Sequence, residues 1–144
     1  MKVKIKKLVP EAVIPTYSTQ GDAGMDLVAV SAVPNAAMMG NRSMYTYGTG
    51  LAFEIPEGYV GLIFPRSSVF RKEMLLTNSV GVIDSGYRGE VKANFYGSAH
   101  NHYKVGDRIA QMIIIPYPTI EFEEVDTLSE SNRGSGGFGS TGGL

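Results

Sequence analysis

The sequence predicts an all-β fold, a barrel or jelly roll with one short helix. Short apolar segments alternate with turns rich in Gly, Pro and Asn, which is typical of many short strands. No window carries a 3.6-residue apolar period long enough for a long helix. From residue 129 onward the composition changes to Gly and Ser, and such a segment has little to bury. We therefore predict a β-barrel over residues 1–128 and a flexible arm over residues 129–144.

The composition excludes several classes of protein. A chain of 144 residues suits one domain, and we find no internal repeat. The chain has no cysteine, which excludes disulfides, thiolate metal sites and a cysteine nucleophile. Thirteen Lys plus Arg against fourteen Asp plus Glu give a net charge of −1, which argues against binding to long nucleic acids. The basic N-terminus precedes no long apolar run, so we expect no membrane segment and a cytoplasmic protein, or a nuclear one in a eukaryote.

The strand patterns near the N-terminus contain charged or polar interruptions. Val3 and Ile5 alternate with lysines, which is the period-two pattern of a half-buried strand with a charged outer face. An apolar run at 25–30 is interrupted by Asp26, which faces either solvent or a cation. Gln111 interrupts a later strand in the same way, and taken alone it is a sheet-surface residue.

Turn signals separate the other predicted elements. We place further strands at 43–46, 51–55, 59–64, 91–96, 108–115 and 120–125. Residues 38–47 are compatible with sheet, surface loop or interface. The best helical candidate spans about 67–73, just after Pro65. His100 and His102 lie in a polar segment, and because no third ligand accompanies them we interpret them as a solvated loop rather than a metal pair.

The segment from 81 to 95 predicts a β-hairpin with a polar mouth. Val82 and Ile83 end a buried strand, Asp84 begins a tight turn, and a return strand follows. Such a hairpin places the Asp84 carboxylate and the Tyr87 ring where both can face one small ligand. An ordinary turn, in which the aspartate bonds its own backbone, explains Asp84 equally well.

Two further segments have the composition of anion-binding sites. PRSS at 65–68 opens the short helix and offers amides, hydroxyls and an arginine to an anion, although a plain helix cap also explains the serines. In the arm, glycine amides, Arg133, Ser140 and Thr141 suit a polyphosphate, and Phe138 suits stacking on a base. A flexible end is the alternative for the arm.

Taken together and in order, five segments resemble the five motifs of the trimeric deoxyuridine triphosphatases, the dUTPases. They are AGMDL at 23–27, PRSS at 65–68, and the segments 81–89, 106–112 and 133–142. The resemblance implies a distorted jelly-roll subunit in a homotrimer, with active sites at subunit interfaces that the arm closes. It also implies Mg²⁺-dependent hydrolysis of dUTP to dUMP and pyrophosphate, which keeps uracil out of DNA and supplies dUMP for dTMP synthesis.

The resemblance assigns roles to the matching residues. It implies that Asp84 is the general base for the water attacking the α-phosphorus, and that Gln111 lies near that water. Tyr87 then packs on the deoxyribose and excludes a 2′-hydroxyl, and Asp26 holds waters of the Mg²⁺ ion. The other implied substrate-binding residues are Arg66, Ser67, Ser68 and Lys92, then Asn78, Val82 and Ile83 at the uracil, and Arg133, Phe138, Gly139, Ser140 and Thr141 in the arm.

One departure from the family pattern is Ser68, where many dUTPases have glycine. The related dCTP deaminases share Arg-Ser-Ser, but their catalytic Glu falls at Asn94 of this chain, which cannot shuttle a proton. A third hypothesis is a nucleotide sensor or partner-docking scaffold on the same fold. Asp84, Tyr87 and Arg133 are all present and favour an enzyme over a pure scaffold.

Overall fold

The computed structural model describes residues 1–39 and 42–138, which contain ten strands and one 3-10 helix. The strands are β1 Lys4–Lys7, β2 Met25–Val28, β3 Ser31–Met39, β4 Arg42–Gly48, β5 Leu51–Glu54, β6 Tyr59–Pro65, β7 Met74–Leu76, β8 Gly81–Ile83, β9 Lys92–Ser98 and β10 Arg108–Pro116. The 3-10 helix Ser67–Lys72 follows β6, as the sequence predicts. Within the described ranges, no helix has the length and apolar character needed to cross a membrane.

Every strand pairing is antiparallel. One four-stranded sheet has the order β2-β10-β6-β8, a second has the order β3-β4-β9-β7, and β1 pairs with β5. Buried side chains from both four-stranded sheets join one hydrophobic core. The predicted all-β, jelly-roll class is therefore confirmed.

Three aromatic rings form the centre of the core. The Phe95 ring lies edge-on to Tyr47, with centroids 5.9 Å apart, and to Tyr103, with centroids 5.3 Å apart. The Tyr47 hydroxyl donates to the Tyr103 carbonyl at 2.9 Å, and burial raises the pKa of both tyrosines. The Tyr103 hydroxyl, in contrast, is buried with no hydrogen-bond partner among the described residues.

The predicted hairpin over 81–95 is wrong. Strand β8 pairs with β6, whereas β9 pairs with β4 and β7, so the two segments belong to different sheets. The backbone of Val91 explains the crossing: its N–H donates to the Leu51 carbonyl at 2.9 Å, and its carbonyl accepts from Thr49 Oγ1 at 2.8 Å. Since both groups are engaged with this neighbouring segment, Val91 cannot pair back onto β8. Residues 84–91 therefore connect the two sheets.

The predicted strand at 120–125 is also wrong. These residues have no regular structure, and Ile120, Phe122 and Val125 are exposed, Phe122 to 93%. A strand needs a neighbour for its main-chain groups, and the described part of the chain pairs no strand with this stretch. The apolar pattern is present in the sequence, but its side chains lie outside the core of this chain.

Strands β3 and β7 are not predicted by the sequence patterns. Strand β3 contains Pro34 and lies at the edge of its sheet, where a residue without an N–H is tolerated. Together, β3 and β4 show that residues 38, 39 and 42–47 are sheet. Gly40 and Asn41 lie outside the described residues.

Candidate active site

Asp26 accepts hydrogen bonds from two arginines. Its Oδ1 accepts from Arg66 Nε at 2.6 Å, and its Oδ2 accepts from Arg66 Nη2 at 3.3 Å and from Arg108 Nη1 at 3.1 Å. The Asp26 and Arg66 side chains are only 20% and 25% exposed, so solvent screens this pair weakly. The sequence leaves open whether Asp26 faces solvent or a cation. The structure shows that it faces two cationic side chains.

Strand register brings these groups together around β10. Gln111 of β10 lies opposite Asp26 of β2, and Arg66 follows β6, which pairs with the other edge of β10. The β2–β10 register shifts between Arg108 and Ala110, so that β10 has one residue more than β2 there. In a regular strand Arg108 and Gln111, three residues apart, face opposite sides. The irregularity re-aims Arg108, which therefore reaches Asp26.

Gln111 is held by contacts with two other motifs. Its Nε2 donates to the Pro65 carbonyl at 3.1 Å. Its Oε1 packs against Gly24, where a Cβ would lie only 2.6 Å away. The absence of a side chain at Gly24 therefore leaves room for this glutamine. Gln111 is a half-buried, oriented group rather than a sheet-surface residue.

The start of the 3-10 helix presents an arginine and two hydroxyls. Arg66 occupies the capping position, and no side-chain hydrogen bond caps the helix. Ser67 is exposed, and Ser68 Oγ accepts a long 3.4 Å hydrogen bond from Arg66 Nη1. The capping explanation for the serines is therefore wrong. The Ser68 hydroxyl therefore lies beside the Arg66 guanidinium, and the Ser67 side chain is open to solvent.

A cleft of about 290 Å³ lies beside this cluster. It is lined by Arg66, Ser68, Arg71, Lys72, Tyr103, Asp107 and Arg108. Asp107 Oδ2 pairs with Lys72 Nζ at 3.4 Å, which leaves an excess of positive charge on the walls. A cleft of one sign of charge concentrates ligands of the opposite sign, so this one favours anions.

A second group of candidate residues lies on the turn after β8. The Asp84 carbonyl, not its carboxylate, accepts from the Tyr87 N–H at 3.1 Å. The Asp84 side chain is exposed, and no hydrogen bond with another described residue engages its carboxylate. The Tyr87 hydroxyl donates to the Glu90 carbonyl at 3.0 Å, and its ring covers Gly89. The turn therefore holds the tyrosine ring in place and leaves the carboxylate free.

The predicted uracil-reading residues flank β8. Asn78 is exposed in the turn before this strand, Val82 is 61% exposed and Ile83 is half-buried. Asn78 precedes β8 and the Asp84 turn follows it, and this strand of three residues spans about 10 Å at the usual rise per residue. Lys92 is on the far side of the turn, and its Nζ pairs with Glu90 at 3.3 Å.

One chain does not bring the two groups of residues together. Strands β6 and β8 pair Gly61 with Ile83, so Asp84 is level with Val60 at the start of β6. Arg66 comes just after the other end of β6, and the intervening strand spans about 20 Å. Asp26, Arg66 and Gln111 thus form one cluster, and Asp84 and Tyr87 form another.

The arm is described only as far as Phe138. Arg133 Nε donates to the Gly136 carbonyl at 2.9 Å, which closes a turn, and the Phe138 side chain is fully exposed. The predicted ligands Gly139, Ser140 and Thr141 lie outside the described residues. Neither Arg133 nor Phe138 contacts the two clusters in this chain, and their assignment to the site stays a prediction.

Asn94 and His102 have structural contacts. Asn94 Oδ1 accepts from Thr46 Oγ1 at 2.7 Å, and Thr46 Oγ1 accepts from Asn35 Nδ2 at 3.0 Å, so the residue at the deaminase Glu position belongs to a ladder across three strands. The His102 ring stacks on Tyr45 with centroids 4.4 Å apart. In the described ranges, no three His, Cys, Asp or Glu side chains come close enough to hold a metal.

Sequence reasoning missed two arginines. Arg108 lies within the segment 106–112, but strand periodicity places it on the face opposite Gln111, and nothing in the sequence signals the irregularity that redirects it. Arg88 Nη1 donates to the Ser85 carbonyl at 2.6 Å and to the Tyr87 carbonyl at 3.0 Å, which braces the turn that carries Asp84. The only sequence signal for Arg88 is its place directly after the turn.

The chain has a jelly-roll fold with a cationic cleft, a carboxylate–tyrosine turn and a glycine-rich arm. These features define a class of all-β proteins suited to bind a phosphorylated ligand. The family model of the dUTPases matches residues 10–142 of this chain. The chain belongs to the dUTPase family.

Relatives and structures of this family resemble the chain over nearly its full length. The deoxyuridine 5′-triphosphate nucleotidohydrolase of Nautilia profundicola is 45% identical over 145 residues and covers 99% of both chains. The enzyme of the same name from Escherichia phage T5 is 40% identical and covers 97% of this chain and 98% of its own. The dUTPase of Staphylococcus bacteriophage 80alpha with dUPNHPP superposes with a TM-score of 0.84 at 28% identity, covering 98% of both chains.

Proposed function

We propose that this protein is a dUTP diphosphatase, which hydrolyses dUTP to dUMP and pyrophosphate with Mg²⁺. The reaction keeps uracil out of DNA and supplies dUMP for dTMP synthesis. The observation that carries the proposal is the match along 99% of the chain to relatives named for this activity. The cationic cleft beside Arg66 and the free carboxylate of Asp84 supply the chemistry that this reaction needs.

Asp84 is the proposed general base. Its exposed carboxylate accepts a proton from a water, whose oxygen then attacks the α-phosphorus and displaces pyrophosphate. The bond between the α-phosphorus and the oxygen that bridges it to the β-phosphorus breaks, and pyrophosphate takes the electron pair. Gln111, oriented by Pro65 and Gly24, holds the α-phosphate and the attacking water.

The phosphates are neutralised by donors from three segments. Arg66, Ser67 and Ser68 at the helix start contact the phosphate chain, and Arg66 supplies a planar fork of donors suited to it. Lys92 adds a second cation near the turn. In the arm, Arg133, Gly139, Ser140 and Thr141 bind the γ-phosphate. Stabilising charge in this way and positioning the groups account for most of the expected rate.

The nucleoside is recognised along β8. Asn78 and the backbone at Val82 and Ile83 read the uracil edge, and Phe138 of the arm covers the base. Tyr87, held by its bond to the Glu90 carbonyl, packs against the deoxyribose and leaves no room for a 2′-hydroxyl. Selection of dUTP over UTP is thereby steric, and selection of uracil depends on hydrogen bonds.

Asp26 is the residue that would hold the Mg²⁺ ion, through its waters. Carboxylate oxygens are suited to this hard cation, which keeps several waters and binds mainly to substrate phosphates. When bound, the ion would neutralise charge on the triphosphate. Its two oxygens already accept three hydrogen bonds from Arg66 and Arg108, which leaves about one of the four acceptor positions of a carboxylate for a water of the ion.

We further propose a homotrimer whose active sites lie between subunits. Asp84 and Arg66 are too far apart in one chain to serve one triphosphate, and the exposed Ile120, Phe122 and Val125 suit contact with another copy. The arm of one chain then closes a site formed by its neighbours. We place the protein in the cytoplasm, or in the nucleus of a eukaryotic cell.

Pyrophosphate release tests the function directly. The purified protein is given dUTP, dCTP, dTTP and UTP, each with Mg²⁺ and with EDTA, and ammonia release from dCTP is followed in parallel. We expect rapid Mg²⁺-dependent release from dUTP alone. Binding of dUTP without release from any nucleotide contradicts the proposal and favours a sensor or docking scaffold, whereas ammonia release favours a deaminase.

A further inference from the structure

The Tyr103 hydroxyl is a buried donor without a partner among the described residues. Tyr103 is only 3% exposed, and its hydroxyl makes no hydrogen bond there. Burial raises the pKa of this tyrosine, so the hydroxyl keeps its proton at neutral pH and can donate. The charges of Arg66 and Asp107, which both line the cationic cleft, also act on this pKa, so the hydroxyl lies at the cleft end of the ring. A ligand that accepts from it recovers the cost of burying it unpaired.

The groups around this hydroxyl offer further donors to an anion. Lys72 Nζ lies over the tyrosine ring, 5.6 Å from its centroid, and Arg71 lines the same cleft. Arg66 bonds Asp26 through its Nε and Nη2. Its third nitrogen, Nη1, is directed to Ser68 Oγ on the cleft wall at a long 3.4 Å. Nη1 can therefore donate into the cleft while the pair with Asp26 stays intact.

We propose that this cleft is a second anion site, which binds free hydrogen phosphate separately from the nucleotide. Arg71, Lys72 and the Tyr103 hydroxyl are its ligands, and Arg66 Nη1 lies at its rim. The three ligands fall outside the five segments that resemble the dUTPase motifs, and the proposed function uses none of them. Lys72 has a flexible stem, and a small movement of it opens the cleft to the hydroxyl beneath.

Asp107 makes the site selective for an oxyanion that carries a proton. Among the described residues, its Oδ2 accepts from Lys72 Nζ at 3.4 Å and from the Lys104 N–H at 3.0 Å, and neither bond uses Oδ1. Oδ1 can therefore accept from the hydroxyl of hydrogen phosphate. Sulfate has the same shape, but at neutral pH it has no proton to donate and is repelled by the carboxylate. Phosphate should therefore bind more tightly than sulfate.

Free phosphate and the nucleotide share one group, Arg66. In the proposed function this arginine binds the phosphate chain of dUTP, whereas a phosphate in the cleft accepts from its Nη1. The two anions also repel each other across the cleft. Phosphate and nucleotide should therefore each weaken the binding of the other by the same factor.

Titration calorimetry with inorganic phosphate tests the site on the intact protein without turnover. Phosphate and sulfate are titrated into wild type, Tyr103→Phe and Arg71→Gln at one ionic strength, kept constant with chloride. Tyr47→Phe is the matched control for loss of a core hydroxyl, because its hydroxyl bonds a carbonyl. Arg42→Gln is the matched control for loss of charge, because its guanidinium, like that of Arg71, lies over an aromatic ring, here Tyr96 of β9. Binding of dUPNHPP to each protein is measured in phosphate-free buffer.

We expect saturable binding of phosphate to wild type, weaker binding of sulfate, and weaker binding of phosphate once dUPNHPP is bound. Tyr103→Phe should weaken phosphate binding about tenfold, the size expected for one hydrogen bond to a charged group. Arg71→Gln should weaken it about threefold, because this arginine is exposed and its charge is screened. Both variants should bind dUPNHPP as wild type does, and both controls should bind phosphate as wild type does.

Three results overturn the second site. One is the absence of saturable phosphate binding to wild type. Another is a dUPNHPP affinity that falls as much as the phosphate affinity in Tyr103→Phe or Arg71→Gln, which would place the anion in the substrate site. The third is an equal loss of phosphate binding in Tyr47→Phe and Tyr103→Phe, which would assign the effect to core packing. Equal binding of sulfate and phosphate would overturn the role of Asp107. Failure of the proposed function is recognised separately, by the absence of pyrophosphate release from dUTP.

Discussion

Asp84 and Arg66 lie at opposite ends of strand β6, about 20 Å apart within one chain. A dUTP molecule with its α-phosphorus at Asp84 extends its remaining phosphates by much less than that distance. In the proposed function, the Arg66 that binds those phosphates therefore comes from another copy of the chain. The distance along this one strand is the main support for the proposed assembly.

Mixed assemblies test this requirement. Asp84→Asn and Arg66→Gln proteins should each be nearly inactive, but unfolding and refolding them together should restore activity, because some sites then combine an intact Asp84 with an intact Arg66. Equal mixing should make about a quarter of the sites wild type. Activity per site is measured before and after refolding, and the two proteins mixed without refolding are the control. No recovery would contradict a shared site.

Asp84→Asn taken alone examines the proposed base. The substitution keeps the shape of the side chain but removes its ability to accept a proton at neutral pH, so kcat should fall by about 10²- to 10⁴-fold. The turn itself should persist, because the Asp84 carbonyl rather than its carboxylate bonds Tyr87. Calorimetric binding of dUPNHPP should change little. A kcat within threefold of wild type would assign the base to another residue.

Replacing Tyr87 with Ala should weaken discrimination against UTP. The ring is fixed by the hydrogen bond from its hydroxyl to the Glu90 carbonyl and lies against Gly89. Without it, a 2′-hydroxyl has room, and the ratio of kcat/KM for dUTP to that for UTP should fall about tenfold or more. Tyr87→Phe keeps the ring and should keep most of the ratio. If alanine leaves the ratio unchanged, another residue excludes the ribonucleotide.

Truncation after Ser131 should separate folding from catalysis. It removes Arg133, whose described hydrogen bond lies within the arm, and Phe138, whose side chain is fully exposed. The truncated protein should keep its β circular dichroism and its assembly size, while kcat falls by about 10²-fold because the phosphate contacts of the arm are lost. A truncated protein with full activity would show that the arm is not part of the site.

Two tyrosines in the core should respond oppositely to loss of a hydroxyl. Tyr103→Phe removes a buried hydroxyl that has no partner among the described residues, so it should leave stability unchanged or raise it by about 1 kcal/mol. Tyr47→Phe removes the bond to the Tyr103 carbonyl and should cost about 1 kcal/mol. Urea unfolding at one protein concentration measures both, since the proposed assembly would make stability concentration-dependent. Equal losses would mean that the Tyr103 hydroxyl has a partner.

Most local structure was predictable from local patterns. The alternation at Val3 and Ile5, the strand at 59–64 and the helix after Pro65 all follow from side-chain periodicity and turn residues, which act over a few positions. The candidate residues Asp26, Arg66, Asp84 and Gln111 were identifiable because their motifs occur in one order. The prediction of a strand at 120–125 failed because side-chain periodicity indicates which face of a segment is apolar but not whether a partner strand exists.

By itself, the sequence determined the fold class, the positions of most strands and the candidate residues of the site. The tertiary structure alone decided which strands pair and which side chains meet. Val91 binds Leu51 and Thr49 instead of closing a hairpin, and one irregularity in β10 turns Arg108 onto Asp26. Strand pairing joins main-chain groups that are far apart in sequence, and a single extra residue in a strand reverses the face on which a side chain lies. Local sequence patterns therefore predict neither outcome.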